Sequence, residues 1–337
     1  MNADFWKGKR ALVTGCHGFL PSWVAAELAK RGAEVTGLTN GAAHGFSPGI
    51  PGPGKKIRVI RGSVTDYPLV KKLFSGRKFE FCFHLAARTD YGVCTESPLT
   101  TFETNIKGAW NVLEAARNCG TLRAVILASS DKVYGKQKKM PHTEGQSPLG
   151  RYPYDVSKIC DELLGMCYFH TYGLPVAAAR CANIYGGGDF TWSRVVPGTI
   201  RSVLRGETPL IRSDGTPMRD YLYVEDAVAA YLKLAEAVAA NKAGGEVFNF
   251  SPENATSTLE LIKTIITLSG RAGVEPRILG AGKSGAGTDI QSLSSEKAKR
   301  LLGWRAKYPL GKGLKKTLQW YIEYFHENTS RFSANTR

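Results

Sequence analysis

Lys9-Arg10-Ala11-Leu12-Val13-Thr14-Gly15-Cys16-His17-Gly18-Phe19 holds a short apolar run, a turn with two glycines and the first residue of a helical pattern. Residues 9–14 read as a buried strand, and Trp23, Leu28 and Arg31 continue an amphipathic helix. Glycines at such a turn let the backbone close on a pyrophosphate, which then rests against the amides and positive dipole of the helix N-terminus. Two glycines also suit an ordinary structural turn, so the stretch alone is weak evidence. Pro21 stands where a third glycine is expected. Its missing N–H is harmless in a first turn, but its ring can crowd the helix against the sheet.

Outward from this unit, strand signals return at residues 34–38, 57–62, 79–84, 124–129 and 175–180, and helical patterns intervene, notably at 102–118 and 154–172. Strands alternating with helices predict an α/β fold, with a Rossmann-like doubly wound parallel sheet over residues 1–180. After Asn183 the alternation becomes irregular. A helix is read near 195–205, a short strand at 210–212, a long helical segment at 221–240, a strand at 246–250 and a last helix at 314–325. Residues 221–250 are expected to pack back on the sheet, 181–220 and 251–327 to form a smaller, mixed α/β C-terminal lobe, and 328–337 to be a frayed tail. Stretches 41–54 and 280–287, dense in glycine, read as loops.

The 337 residues carry 45 Lys and Arg against 29 Asp and Glu, a net charge of +16. The basic residues are dispersed in short clusters such as Lys136-Gln137-Lys138-Lys139, which favours an anionic small molecule over nucleic acid as partner. Seven cysteines without Cys-x-x-Cys spacing read as reduced thiols, and no apolar run reaches the length of a signal region or membrane span. A cytoplasmic protein without membrane contact is expected. Six histidines are scattered without ligand spacing, so no metal is expected.

Chemistry enters at Arg151-Tyr152-Pro153-Tyr154-Asp155-Val156-Ser157-Lys158 and, upstream, at Ser130-Asp131-Lys132. Positions four apart share a helix face, so the Tyr154 phenol and the Lys158 ammonium can point into one site. A free tyrosine, with a pKa of about 10, is a poor base at neutral pH, and lowering it by ~2 units takes ~3 kcal/mol. One cation at ~4 Å supplies about that much at an effective dielectric of ~20. With the Ser130 hydroxyl holding a substrate alcohol, the set suits oxidation of a carbinol by a nicotinamide cofactor. A Tyr-x-x-x-Lys pair by itself is equally an ordinary solvated helix face, and the dinucleotide-type turn upstream is what favours chemistry.

Together these residues resemble the extended short-chain dehydrogenase/reductases, in their NAD-dependent nucleotide-sugar epimerase and dehydratase branch. The resemblance spans nearly the whole chain: Thr14-Gly15-x-x-Gly18, His84-Leu-Ala-Ala87, Asn105, the Ser130, Tyr154 and Lys158 triad, Arg180-x-x-Asn183-x-Tyr185-Gly186, Arg219-Asp220-Tyr221, Leu302-Gly303-Trp304 and Trp320-Tyr321. It implies NAD contacts from Gly15, His17, Gly18, Phe19, Leu20, Thr39, Asn40, Ser63, Val64, Leu85, Ala86, Ala87 and Asn105, beside Tyr154 and Lys158. It also implies that the C-terminal lobe binds a nucleotide-diphosphate sugar through Arg88, Asn183, Arg194, Arg212 and Arg219, and that the chain forms a homodimer through a helix bundle including 102–118 and 154–172.

Asp131-Lys132 is similar to the pair found in CDP-glucose 4,6-dehydratases, which need an acid and a base after the serine, whereas simple 4-epimerases carry non-titratable residues there. The implied reaction is oxidation at C4 with Tyr154 as base, removal of the C5 proton by Lys132, protonation of the departing C6 hydroxyl by Asp131, and reduction at C6. The chain departs from the pattern at Leu20, Pro21 and Ser63. At the end of the second strand, Thr39-Asn40 offers neither the acid that selects NAD nor the arginine that selects NADP, so NADP stays open. Two other readings stand beside the dehydratase. In a 4-epimerase or dehydrogenase of the same fold, Asp131 and Lys132 form a local ion pair, and in a non-catalytic NAD(P)-sensing protein the fold is retained without turnover.

Overall fold

A computed structural model describes residues 5–41, 57–271, 273–280 and 289–334, with side chains through 327. The strands are β1 (Arg10–Thr14), β2 (Glu34–Thr39), β3 (Ile57–Arg61), β4 (Phe81–His84), β5 (Ala124–Ser130), β6 (Val176–Cys181), β7 (Asn183–Tyr185), β8 (Leu210–Ile211), β9 (Met218–Arg219), β10 (Tyr221–Tyr223), β11 (Val247–Phe250), β12 (Thr256–Ser257), β13 (Arg277–Ile278) and β14 (Ile290–Gln291). The helices are α1 (Phe19–Lys30), α2 (Tyr67–Arg77), α3 (Tyr91–Glu96), α4 (Pro98–Phe102), α5 (Gly108–Arg117), α6 (Pro153–Tyr172), α7 (Val195–Leu204), α8 (Val224–Ala239), α9 (Thr258–Leu268), α10 (Glu296–Leu302) and α11 (Leu310–Ala334).

Seven strands form one parallel sheet in the order β11-β6-β5-β4-β1-β2-β3. The runs at β1, β4 and β6 are almost wholly buried, because helices cover both faces of the sheet and leave no polar side. Val24, Leu28, Tyr231 and Leu234 of α1 and α8 fill one face, while Leu73, Val112 and Leu113 of α2 and α5 fill the other with α6 beside them. The strand order reverses between β4 and β1, and in such sheets ligands bind beyond the carboxyl ends of the strands at that switch point. The C-terminal lobe has its own core, where Ile200 of α7, Leu261 and Ile265 of α9 and Leu318 and Tyr321 of α11 meet.

Several elements differ from their sequence reading. The segment at 221–240 begins as a strand: β10 pairs parallel with β7 before α8 starts at Val224. Three residues are too few for a period to show. The helix read at 102–118 starts earlier, at Pro98, and passes through a π-helical turn at Glu103–Lys107. α3 shows no signal long enough to read. The last helix runs well beyond 314–325, so residues 328–334 of the expected frayed tail are helical. The loops read at 41–54 and 280–287 lie outside the described residues, apart from Gly41 and Gly280. Pro21 sits in the first turn of α1 with the Ser22 N–H still donating to the Gly18 carbonyl at 3.1 Å, so the helix absorbs the proline without a break. No helix among the described residues is long and apolar enough to cross a membrane.

Candidate active site

The cofactor side of the site is built on strand ends. Thr14 closes β1 against β4: its Oγ1 accepts the Leu85 and Ala86 N–H groups, both at 3.0 Å, and lies 3.0 Å from His84 Nδ1. With both lone pairs used, the hydroxyl proton can only go to Nδ1, which fixes the neutral tautomer of His84. Burial, with the nearby Lys158 charge, pushes this imidazole down to about 3. Gly15 follows with φ +71°, and a Cβ there would stand 2.9 Å from the Ala86 Cα. Only glycine lets the two strand ends meet.

Beyond them lies a cleft of about 510 Å³ bordered by Gly15, His17, Gly18, Phe19, Leu20, Thr39, Asn40, Ser63, Val64, Leu85, Ala86 and Ala87, with Tyr154 and Lys158 also on its wall. The N-cap of α1 is Gly18, which has no side chain to cap the first amides, so these remain available to a ligand phosphate. A cleft running from the end of β2 past an uncapped helix N-terminus to a tyrosine and lysine fits an extended dinucleotide. Asn105 is the exception among the expected cofactor contacts. It is fully buried on the π-helical turn, accepting from the Arg88 N–H at 2.8 Å and donating to the Arg88 carbonyl at 3.2 Å and to Ser157 Oγ at 2.9 Å. It shapes the segment after β4 rather than facing the cleft.

Tyr154 and Lys158 share one face of α6, as their spacing predicts, yet the phenol is not lowered. Burial pushes Tyr154 upward, and Lys158, Ser130 and Arg194 only pull against it. Lys158 is itself 3% exposed, and its ammonium donates to Asp161 Oδ2 at 2.9 Å, a carboxylate 2% exposed. Burial works against the ammonium, but Asp161 and Tyr154 hold it above the usual lysine range. One turn on, Glu162 takes both arms of Arg180 at 2.7 and 2.6 Å and accepts from Ser129. Arg180 also donates to Tyr134 Oη at 2.8 Å, which ties α6, β5 and β6 together. Neither acid belongs to the sequence reading, although Asp161 stands at i+3 from Lys158, a legible helix spacing.

A second cavity, of about 470 Å³, opens toward the C-terminal lobe and is bordered by Ser130, Asp131, Lys132, Tyr154, Asn183, Arg194 and Arg212. Tyr154, Thr89, Ile184 and Arg194 border both cavities, so the phenol stands at their junction. Asp131 and Lys132 open a 3-10 turn after β5. Ser130 Oγ donates to Asp131 Oδ1 at 3.0 Å, and Lys132 Nζ donates to Asp131 Oδ2 at 3.0 Å and to Gln291 Oε1 at 2.7 Å. Gln291 arrives from β14 and has no signal in the sequence.

Arg194 pairs with Asp189 at 3.0 Å and donates to Thr89 at 2.9 Å, and Arg212 reaches the Ser193 carbonyl at 3.4 Å. Two expected substrate arginines lie elsewhere. Arg88 borders the first cleft and not the second cavity. Arg219 borders neither, because its guanidinium is held by the Met218 and Asp289 carbonyls and the Asp289 carboxylate at 2.7–2.8 Å.

Residues 11–250 match the family described as the NAD dependent epimerase/dehydratase family. The CDP-glucose 4,6-dehydratase of Salmonella typhimurium is 27% identical over 95% of this chain and 92% of its own length. A UDP-N-acetyl-alpha-D-glucosaminuronate decarboxylase of Bacillus cytotoxicus is 31% identical over 94% of this chain and 98% of its own. Among solved structures, the UDP-glucose 4-epimerase of Thermotoga maritima with UDP-glucose superposes with a TM-score of 0.85 at 29% identity, covering 94% of this chain and 99% of that one. The three are named for different reactions, a dehydration, a decarboxylation and a 4-epimerisation. The chain belongs to the NAD-dependent epimerase/dehydratase family, and NAD is its cofactor.

Proposed function

We propose that the protein is a nucleotide-sugar 4,6-dehydratase resembling the CDP-glucose enzymes, converting a hexose into its 4-keto-6-deoxy form. The observation that carries this reading is the Asp131 and Lys132 pair on the wall of the cavity that Tyr154 also borders. Arg194 and Arg212 on the same wall suit the diphosphate of the substrate, because guanidinium matches phosphate geometry.

Bound NAD supplies a hydride acceptor at C4 that later serves as the donor at C6. Tyr154, once it has given up its own proton, takes the C4 hydroxyl proton as that alcohol becomes a ketone. The new carbonyl acidifies the C5 proton, which Lys132 removes, while Asp131 protonates the departing C6 hydroxyl and water leaves; Lys132 then returns the proton to C5 as C6 is reduced. For this, Lys132 must be neutral and Asp131 protonated. The resting ion pair differs from that state by one proton moved across a 3.0 Å contact.

The pairing of Lys132 with both Asp131 and Gln291 also favours a second reading, a 4-epimerase or dehydrogenase in which the three only brace the loop. Incubation with CDP-, dTDP-, GDP- and UDP-hexoses, with assay for a 4-keto-6-deoxy product, separates the two. A C4 epimer as sole product would overturn the dehydratase. A homodimer is proposed as well, on the large apolar side chains exposed along α4–α6: Leu99 at 73%, Leu163 at 63%, Tyr172 at 53% and Trp110 at 44%. A monomeric mass by light scattering would contradict it.

A further inference from the structure

Asp161 is an ion-pair partner that the oxidation step does not require. Its carboxylate lies under α6, accepts from Lys158 Nζ at 2.9 Å through one oxygen, and leaves the other oxygen buried without a hydrogen bond. Burial pushes the carboxyl up to about 6 against the pull of Lys158, so the lysine offsets only part of what the acid loses by leaving water. A well-packed apolar residue in such a place is generally the more stable choice, because a buried pair seldom recovers its full desolvation. A charge retained at a loss of stability, in direct contact with the lysine that governs the phenol, points to the reaction.

We propose that Asp161 is a positioning residue that tunes Tyr154 through Lys158: it draws the ammonium to the inner side of α6 and cancels part of its charge, keeping the phenol protonated in the resting site. Without that carboxylate, Tyr154 is left as the main group holding the Lys158 charge against burial, so the ammonium turns to the phenol, and one repulsion against the phenolate is gone. Both changes favour ionisation of the phenol. A unit charge at roughly 10 Å in an effective dielectric of about 20 moves a titration by about one unit.

Other titratable groups bear on this pair: Cys94 on α3 feels Lys158 and Cys160 on α6 feels Asp161, and burial pushes both thiols up. His84 on β4 faces Lys158 but is held neutral by burial and by the Thr14 proton. Glu162 on α6 acts on Lys158 and Asp161 and is engaged by Arg180. Ser130 at the end of β5, Asp131 just after it, Arg194 from the lobe and Tyr231 on α8 act on the phenol itself.

The test compares the wild type with Asp161→Asn, Asp161→Ala and Asp161→Glu. In the cofactor-free protein, phenolate absorbance is titrated and the Tyr154→Phe background subtracted. The acidic limb of kcat/KM is then followed with NAD and substrate. The two uncharged variants are expected to bring the Tyr154 phenolate and the acidic limb down by about one pH unit, a tenfold larger phenolate fraction below the limb. Asp161→Glu, which keeps the charge, is expected to stay near the wild-type position. Loss of kcat in the uncharged variants with an unmoved limb and unmoved phenolate titration would reduce Asp161 to packing and overturn the proposal, as would a shift upward. The titration needs no substrate, so it stands or falls independently of the dehydratase reading, and two uncharged variants guard against one that fails to fold.

Discussion

Two lysine–aspartate pairs flank Tyr154, and they are opposites. Lys158 and Asp161 are 3% and 2% exposed, sealed under α6. Lys132 and Asp131, at 25% and 5%, stand on the wall of an open cavity and share a third partner, Gln291. The same two residue types at nearly the same separation therefore do different work. Although Lys158 borders the cofactor cleft, its pair is almost wholly withdrawn from water and acts as a fixed electrostatic setting, whereas the more exposed Lys132 can change partner when a ligand displaces water.

The comparison is broken or sharpened by a graded series. Lys158→Met should have the largest effect: it leaves Asp161 buried without a counter-ion, a loss of about 3–5 kcal/mol of stability, and removes turnover altogether. Chemical denaturation and a steady-state assay read both. Lys132→Met should cost less, about 1–3 kcal/mol, because the buried Asp131 loses its cation but keeps the Ser130 hydroxyl. Its product formation should nevertheless fall by about 10²-fold or more, as for loss of a general base. Absorbance of reduced nicotinamide near 340 nm should then persist after the first oxidation. If Lys132→Met turned over normally, the open pair would be a brace like the buried one.

Gln291→Leu is expected to be milder, about tenfold in product formation, since it removes one hydrogen bond to a charged group from Lys132 and leaves Asp131 in place. The pH dependence of stability separates the pairs further. The Asp161 carboxyl is raised in the folded state from 3.8 to about 6, so the folded protein binds more protons than the unfolded chain in that window. The wild type should therefore lose stability relative to Asp161→Asn as the pH rises from about 4 to about 6, a trend that denaturant titrations at several pH values would detect. Arg219→Ala is the smallest: a pair with the half-exposed Asp289 contributes about 0–1 kcal/mol, and KM for the sugar nucleotide should not move. A rise in KM would return Arg219 to the substrate.

Much of the site is legible before folding, and the misses share a cause. The turn at Gly15 and Gly18, the strand before it and the face shared by Tyr154 and Lys158 follow from local periodicity and i, i+4 spacing. The lowered phenol does not survive, because the spacing supplies the cation but says nothing of the burial that outweighs it. Arg219 fails for a related reason: a motif places an arginine in a segment, while its partner, Asp289, lies 70 residues away. Asn105 keeps the position expected of it, yet its amide is consumed by Arg88 and Ser157.

By itself, then, the chain determined its alternating strands and helices, its two-glycine turn and the helix face shared by its tyrosine and lysine, all features set by neighbours within a helical turn or a strand. Tertiary structure alone decided which arginines meet the cavity, that Gln291 reaches Lys132, and that one lysine is sealed against Asp161 while the other stays open. Those outcomes depend on burial and on contacts between distant segments. Because solvation sets whether a charge is held fixed or free to move its proton, the same Lys and Asp acquire their roles only once the fold has excluded water from one pair and left it at the other.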